Sequence, residues 1–123
     1  MNNMGNPLPE TVEKGTIGEL LVQLRLLEYG IQAAPPIKDS GNDLIAIKGE
    51  VVKFIQVKTS ASSIRRVDNL PEIYHIVALV ELEYSEDGGL LFDQSRIFVY
   101  RRRESIREKK ELTQVVADEF WNE

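Results

Sequence analysis

Cysteine is missing from the sequence, and histidine occurs once among its 123 residues. Disulfide bonds and thiolate metal sites are therefore excluded, and a zinc site built from several histidines is implausible. Any metal ion that the protein holds must be bound by oxygen atoms. Oxygen ligands favour Mg²⁺ or Mn²⁺ over the softer transition metals.

Long apolar segments are missing as well. No apolar run in the sequence approaches the roughly 20 residues that a helix needs to cross a bilayer. Residues 1–9 are polar and lack the apolar stretch of a signal peptide. We therefore expect a cytoplasmic protein that has no membrane partner.

An excess of positive charge is also lacking, because the formal net charge is −5. This value argues mildly against a nucleic-acid-binding protein, but the charge is unevenly placed. Residues 96–110 hold seven basic and two acidic side chains. Such a local basic patch can bind phosphates on an otherwise acidic protein. The alternative is a solvated helix face with charge pairs at helical spacing, and the sequence leaves both open.

The length suits one domain, and 42% hydrophobic with 28% charged residues is ordinary for a globular protein. We expect residues 1–8 to form a disordered tail and residues 9–123 to form a single domain. A first helix is predicted from Pro9 to about Tyr29, and Gly30 ends it. Its core stripe is predicted from the apolar residues at helical spacing, which are Ile17, Leu20, Leu21, Leu24 and Leu27.

Four or five strands and a second helix are predicted after the first helix. The predicted strands cover residues 31–35, 43–47, 51–58, 73–82 and, in one or two pieces, 90–92 and 96–100. The second helix is predicted from about residue 104 to Trp121, either continuous or broken near Leu112 and Thr113, and docked on the sheet through Val115, Val116, Phe120 and Trp121. This order of elements predicts an α/β fold with a small mixed sheet flanked by helices.

The middle of the sequence places polar side chains within apolar strands. Gln56 and Lys58 point to the same face of their strand, because strand residues two apart share a face. Asp43 begins the preceding strand beside a turn formed by Gly41 and Asn42. A carboxylate, an amide oxygen and an ammonium group are therefore expected to meet at the open end of one hairpin.

Each of these residues also has a plainer interpretation. Asp43 would suit a cap of its turn, and Gln56 and Lys58 would suit the polar face of a half-exposed strand. On the first helix, Glu19 lies in a narrow polar sector beside the leucines, which favours a position facing the hairpin; the alternative is that it reaches water. His75 has no second histidine or cysteine near it, so a structural role is favoured over a catalytic one.

Asp43 and Gln56-Val57-Lys58 together resemble the motif of the PD-(D/E)XK nuclease superfamily, and most closely its Mrr-type and Holliday-junction-resolvase-like branches. Those families carry an Asp and then Glu-x-Lys or Gln-x-Lys on the next strand, and Gln56 stands about 13 residues after Asp43. They also carry a Glu on the preceding helix, which corresponds to Glu19. The resemblance covers about residues 15–60. Asn42 stands where the superfamily commonly has Pro, and Gln56 stands where most members have Glu.

The resemblance implies a restriction-endonuclease-like core and a Mg²⁺-dependent or Mn²⁺-dependent DNA endonuclease. It implies that Glu19, Asp43, Gln56 and the Val57 carbonyl bind the metal ion, and that Lys58 polarises the attacking water and stabilises the developing charge. The same four side chains, Glu19, Asp43, Gln56 and Lys58, would be the catalytic residues. Four neighbours would support them, namely Thr16, Gln23, Thr59 and Ser60.

Duplex or branched DNA is the expected partner, and phosphate contacts are expected on two basic groups. These groups are Arg65 with Arg66, and the triplet Arg101, Arg102 and Arg103. A symmetric homodimer is expected if the substrate has two strands related by a two-fold axis, with residues 96–100 or Phe120 and Trp121 as its apolar patch. Two alternatives stay open. One is an inactive nuclease fold that binds DNA or a protein partner, and the other is an interaction protein unrelated to nucleic acid.

Overall fold

The computed structural model describes residues 10–38 and 41–123, and the side chains of the first helix from residue 13 onward. The predicted tail over residues 1–8 lies outside the described residues. The described chain forms two α-helices and six strands, with 3₁₀ turns at Phe92–Gln94 and Ile106–Glu108. In chain order the elements are α1 (Glu10–Glu28), β1 (Gln32–Ala34), β2 (Leu44–Lys48), β3 (Val51–Ser60), β4 (Ile76–Glu81), β5 (Arg96–Arg101), β6 (Lys110–Glu111) and α2 (Gln114–Trp121). The predicted α/β class is confirmed.

The six strands form one mixed sheet in the sequential order β1 to β6. The pair β3–β4 is parallel, and the other four neighbouring pairs are antiparallel. A parallel pair needs a long crossover between its strands. Here the crossover is residues 61–75, which contain no helix. This mixed topology brings β3, with Gln56 and Lys58, to the middle of the sheet.

Each face of the sheet is covered by a different part of the chain. Both helices pack on one face, where their buried residues form a single core with alternate residues of β2 to β5, including Ile55 and Val57. The other face holds a smaller core around Val77 and Leu79, covered by crossover residues. We call them the helix face and the crossover face. By strand alternation, Gln56 and Lys58 point to the crossover face.

The buried side of α1 differs from the predicted stripe. Leu21, Val22 and Leu26 are buried, whereas Leu20, Leu24 and Leu27 are 58%, 54% and 63% exposed. The prediction failed because α1 carries apolar residues on two opposite sides, and periodicity alone does not tell which side meets the sheet. The side with Gly18 meets the sheet, and the packing there is so close that a Cβ atom on Gly18 would overlap Thr59 Oγ1 on β3.

Two C-terminal predictions are wrong. Residues 90–92 do not form a strand, because Leu90 makes one isolated bridge and a 3₁₀ turn begins at Phe92. The helical part predicted from residue 104 to the break near Leu112 and Thr113 is also absent from the described chain, whereas a helix does begin directly after Thr113. A capping box between Ser105 and Glu108 starts only a 3₁₀ turn, which contains no buried residue, and β6 follows it. Without an apolar stripe, the charged segment has nothing to hold a longer helix on the sheet.

The final helix α2 starts at the Thr113 cap, whose side chain accepts a hydrogen bond from Val116 N–H. Val116, Phe120 and Trp121 are buried as predicted, but Val115 is 66% exposed. The predicted dimer patch is therefore wrong. Phe120, Trp121 and most of residues 97–100 are already buried within the protein's own core. Within the described residues, no helix has the length and apolar character required to cross a membrane.

Candidate active site

Asp43 is held against β3 at the point where β2 begins. Its backbone N–H donates to Ile55 O at 3.1 Å, and its carboxylate Oδ2 accepts from Val57 N–H at 2.7 Å. The β2–β3 ladder ends at the pair Leu44–Ile55, so β2 does not reach Val57. Because a buried N–H requires a partner, the carboxylate takes the place of the missing strand.

The Val57 carbonyl shares this opening. In a strand, the N–H and C=O of one residue point to the same neighbouring strand. The Val57 carbonyl therefore points to the side from which the Asp43 carboxylate approaches. The end of β2 thus leaves a gap in the sheet, and groups from both faces can reach it.

Glu19 comes from α1 on the helix face and is half-buried. Burial raises the pKa of its carboxyl group, and the negative charge of Asp43 raises it further. This coupling means that the two carboxylates lie close enough to repel each other. The close approach of α1 to β3 at Gly18, the residue before Glu19, brings them together.

Gln56 is 5% exposed and ties β3 to the turn before β2. Its Nε2 donates to Gly41 O at 2.6 Å and to Asn42 Oδ1 at 3.0 Å. A backbone carbonyl can only accept a hydrogen bond, so the NH₂ end of the amide must face Gly41. The amide oxygen Oε1 therefore points away from the turn, and no hydrogen bond from the described residues reaches it.

Lys58 lies two residues beyond Gln56, on the crossover face, and is half-buried. No carboxylate of the described residues lies within ion-pair distance of its ammonium group. The structure thus places the Asp43 carboxylate on the Val57 backbone, with Gln56 bonded to the adjoining turn, and Glu19 on α1 lies near enough for its pKa to respond to the charge of Asp43. That Lys58 shares one pocket with them stays a prediction.

The four predicted supporting residues have other contacts or positions. Gln23 Nε2 donates to the backbone oxygen of Glu19 at 3.3 Å rather than to its carboxylate. Thr59 Oγ1 is buried without a hydrogen-bond partner among the described residues and packs against Gly18. Ser60 Oγ bonds within the turn to Ser62, and the Thr16 side chain is exposed. For Gln23, Thr59 and Ser60, no hydrogen bond to a predicted ligand side chain is found among the described residues.

The predicted basic groups are only partly available for phosphates. Arg66 pairs with Asp68 at 3.1 Å, whereas Arg65 is exposed. Arg101 is bound by Glu104 and Glu123, and Arg103 also pairs with Glu123. The remaining member of the triplet, Arg102, lies 5.0 Å from the centre of the Tyr74 ring.

The sequence did not predict which other basic residues lie beside Arg65. Together with Arg107 and Lys109, Arg65 lines a cavity of about 430 Å³, which also borders Ile64 and Ile106. Ile64 and Ile106 also pack against the core of the crossover face. The excess of basic residues in 96–110 is visible in the sequence. The helix predicted for this segment gave no reason to place Arg107 and Lys109 beside the crossover.

The oxygen donors at the gap are few. Within the described residues, no three His, Cys, Asp or Glu side chains are grouped so that they would hold a metal ion. Glu19 and Asp43 are the two acidic side chains of the candidate site, and an amide and a backbone oxygen would have to complete any ligand set. Mg²⁺ accepts such a set, because it is usually held by one or two carboxylates and keeps several waters.

A mixed sheet with two helices packed on one face is consistent with a nuclease-like core. The chain resembles the solved structure of a bacterial homing endonuclease, I-Ssp6803I, with a TM-score of 0.56 and 18% sequence identity. The match covers 85% of this chain and 79% of the endonuclease chain. At this identity the likeness shows a shared fold. No protein-family model and no curated protein sequence matches the chain.

Proposed function

We propose that the protein is a Mg²⁺-dependent or Mn²⁺-dependent DNA endonuclease of the PD-(D/E)XK type, related to the Mrr-type and resolvase-like branches. One observation carries the proposal. Where β2 begins, the Asp43 carboxylate accepts a hydrogen bond from Val57 N–H at 2.7 Å, and on α1 the half-buried Glu19 carboxyl has its pKa raised by burial and, further, by the charge of Asp43. Like charges at short distance are costly unless a proton or a cation neutralises them.

The residues at the gap fit a hard divalent cation. Glu19 and Asp43 offer carboxylate oxygens, Gln56 offers an amide oxygen that points away from its turn, and Val57 offers a carbonyl. This all-oxygen set suits Mg²⁺ or Mn²⁺ and contains no soft ligand. When bound, such an ion would neutralise charge on the scissile phosphate and make a bound water more acidic.

The protein's own groups then have separate tasks. The half-buried Lys58 ammonium would orient the attacking water and stabilise the negative charge that develops on the phosphate. The amide of Gln56 would keep the turn, and hence Asp43, at a fixed place relative to β3. The bond from Val57 N–H would orient the Asp43 carboxylate, which leaves its other oxygen for the cation.

DNA phosphates would contact the cavity of Arg65, Arg107 and Lys109. Arg65 follows β3 by five residues and lies on the crossover, which covers the sheet face to which Lys58 points. Charge reversal of Arg65 should weaken binding to all DNA sequences about equally and reduce the salt dependence of the affinity. Charge reversal of Arg66, which already pairs with Asp68, should have the smaller effect.

The alternative is a nuclease fold that binds DNA or a protein partner without cutting. The observation that favours it is Gln56, a neutral residue whose amide is already bonded to the turn. With Gln at this position, the site has two carboxylates, and divalent cations are held by carboxylate charge as well as by geometry. Metal binding in the free protein is therefore expected to be weak.

Calorimetric titration with Mn²⁺ tests the ligand assignment. Asp43→Asn should abolish binding, and Gln56→Glu should tighten it because a third carboxylate joins the site. Glu50→Gln is the matched control, since Glu50 is exposed in the turn at the other end of the same hairpin. An unchanged affinity in Gln56→Glu would show that residue 56 is not a ligand.

Cleavage of labelled duplex, branched and single-stranded DNA with Mg²⁺ or Mn²⁺ separates the two functions. The proposed enzyme cuts at least one substrate, and Lys58→Met abolishes cutting while leaving DNA affinity within about twofold. If wild-type protein binds DNA but cuts none of the substrates with either metal, the inactive alternative is correct.

A further inference from the structure

A second charged cavity lies away from the candidate active site. It has a volume of about 400 Å³ and lies where β4 begins and β5 ends. Its lining includes Lys53, Tyr74, His75, the Arg101–Arg103 triplet and Glu123. Lys53 precedes Val57 by four residues on β3, which separates the two places by about 13 Å along the strand.

The positive charge of this cavity is not balanced. Four cations line it against one carboxylate, and Glu123 is already shared by Arg101 at 2.8 Å and Arg103 at 3.3 Å. Among the described residues, no carboxylate lies within ion-pair distance of Lys53 or Arg102. Burial lowers the pKa of His75, and the charges of Lys53 and Arg102 lower it further.

His75 supplies a neutral donor in the same cavity as these two cations. Its Nδ1 accepts a hydrogen bond from Phe54 N–H at 2.8 Å, so the neutral ring carries its proton on Nε2. The ring also packs against Phe54, with centroids 5.1 Å apart. Two cations without a carboxylate partner among the described residues and one N–H donor line the same cavity, and a phosphate accepts charge-assisted hydrogen bonds from such groups on several oxygens.

We propose that the cavity formed by Lys53, His75 and Arg102 binds a phosphate group of nucleic acid. This site is separate from the metal ligands, and it deepens the proposed function by giving DNA a second anchoring point. Within the basic triplet it assigns the contact to Arg102, since Arg101 and Arg103 are occupied by carboxylates. Lys53, which lies outside both basic groups of the sequence analysis, becomes a phosphate contact.

The single histidine of the chain makes the test direct, because its imidazole C–H signal in an NMR spectrum is unambiguous. The signal is followed while metal-free protein is titrated at constant ionic strength with inorganic phosphate, a 5′-phosphorylated duplex or a 5′-hydroxyl duplex. A saturable shift is expected with at least one probe. A shift with both duplexes identifies a backbone phosphate, and a shift with inorganic phosphate or the 5′-phosphorylated duplex alone identifies a terminal phosphate.

Variants decide whether the shift reports this cavity. Lys53→Met and Arg102→Met should each lower the affinity for the probe that causes the shift about tenfold, as expected for the loss of one charge-assisted hydrogen bond. Lys48→Met is the control and should leave the affinity unchanged, because Lys48 already pairs with Asp118 at 3.1 Å and lines neither of the two basic cavities. Absence of a saturable shift with all probes, or equal affinities in all variants, would overturn the proposal.

Failure of the nuclease proposal would be recognised separately. Asp43→Asn removes a candidate metal ligand but lies outside the cavity, so this variant should keep the His75 shift. If the wild-type protein cuts no DNA yet shows the shift, the phosphate site stands and the catalytic assignment falls.

An independent observation concerns the outer side of α1. Leu20, Leu24 and Leu27 are each more than half exposed, and Phe92 beside them is 56% exposed. Arg25 Nη2 donates to Phe92 O at 3.2 Å and so holds this segment against the helix. With Ile17, the leucines have the 3-4-3 spacing of a seam between packed helices. We call these residues the leucine face.

We infer that the leucine face pairs with the same face of a second copy of the chain. Its four exposed side chains present roughly 400 Å² of apolar surface, which lies within the range of about 300–600 Å² for the largest patch of a monomer, and such a patch is often functional. A standard interface buries about 800 Å² per partner, of which about 60% is apolar. The patch therefore matches the apolar part of a homodimer interface, and a narrow helical seam is self-complementary about a two-fold axis.

Sedimentation or light scattering at about 1–100 µM tests this interface, since dimers of this size are typically stable in that range. Wild-type protein should be dimeric, and Leu24→Glu should weaken self-association by at least about 100-fold, as for a central apolar contact. Val115→Glu is the matched control, because Val115 is also an exposed apolar helix residue but lies on α2. A monomeric wild-type protein would assign the face to another partner and overturn the inference. Equal dissociation by both variants would do the same.

Discussion

Replacement of Gly18 by alanine tests the contact that positions Glu19. An added Cβ would overlap Thr59 Oγ1 and lie 2.9 Å from both Thr59 Cβ and Cγ2. Thr59 is β-branched and sits within β3, so its side chain cannot rotate away freely. Gly15 lies one turn earlier in the same helix, and there the added atom would meet no described atom within 4 Å.

These two sites separate helix propensity from packing. Alanine in place of glycine stabilises a helix interior by about 1 kcal/mol, and this gain applies to both positions. Overpacking at Gly18 costs about 3 kcal/mol, because the contact is with stiff atoms of a central strand. We expect Gly15→Ala to stabilise the protein by about 1 kcal/mol and Gly18→Ala to destabilise it by about 2 kcal/mol.

Urea unfolding and thermal melting of the two variants measure this difference, and about 1 kcal/mol should shift the melting temperature by about 4 °C at this chain length. Gly18→Ala should also weaken Mn²⁺ binding, because α1 must move away from β3 and carry Glu19 with it. If Gly18→Ala is as stable as Gly15→Ala, the helix does not approach β3 as closely as the structure shows. The argument for the position of Glu19 would then fail.

Three further predictions follow from contacts near the site and the C-terminus. Thr59→Val should stabilise the protein by about 1 kcal/mol in urea unfolding, because it removes a buried hydroxyl that has no partner among the described residues; a loss of stability would reveal a hidden hydrogen bond. Since the folded-state pKa of Glu19 is raised above 4.5, its ionisation costs stability as pH rises through that pKa. Glu19→Gln should therefore be more stable than wild type near pH 7, and the two should converge near pH 4; a constant difference would refute this. Arg101→Met should cost about 2 kcal/mol, since it leaves Glu104 without its ion-pair partner and removes one of the two arginines that bind Glu123; Arg103→Met, at an exposed pair, should change the stability by less than about 1 kcal/mol in the same assay.

The hairpin and the central strand were predictable from the sequence because their signals are local. Val, Ile and Phe at strand spacing around a Gly-containing turn predict β2 and β3, and a continuous apolar run predicts β4 with both faces covered. The motif Asp43, Gln56 and Lys58 could be placed on strands for the same reason. The proximity of Glu19 to Asp43 was expected from the polar sector of the first helix and from the family resemblance, but its geometry depends on how α1 packs.

The side of α1 that meets the sheet could not be predicted from periodicity. Leucines occur on both sides of the helix. The side that meets the sheet is the one with Gly18, which packs closely on Thr59, and a glycine does not contribute to an apolar periodicity. The β6 strand was missed because its two residues, Lys110 and Glu111, have no apolar alternation and pair with only two residues of β5. Ion pairs such as Arg96 with Glu111 form between residues that only the folded structure brings together. The sequence therefore suggested more unpaired basic side chains for phosphate binding than the structure has.

The candidate site depends on the register of the β2–β3 hairpin. Gly49 occupies the two-residue turn with φ 62°, a conformation that glycine adopts without strain, and Lys48 and Val51 form the first pair after it. The same register ends at Leu44–Ile55, which leaves the Val57 N–H for the Asp43 carboxylate. A slip by one residue would turn Leu44 and Ala46, both fully buried, out of the core. The burial that stabilises the hairpin therefore also fixes Asp43 beside Val57, so the position of the carboxylate follows from the fold and needs no metal ion to hold it.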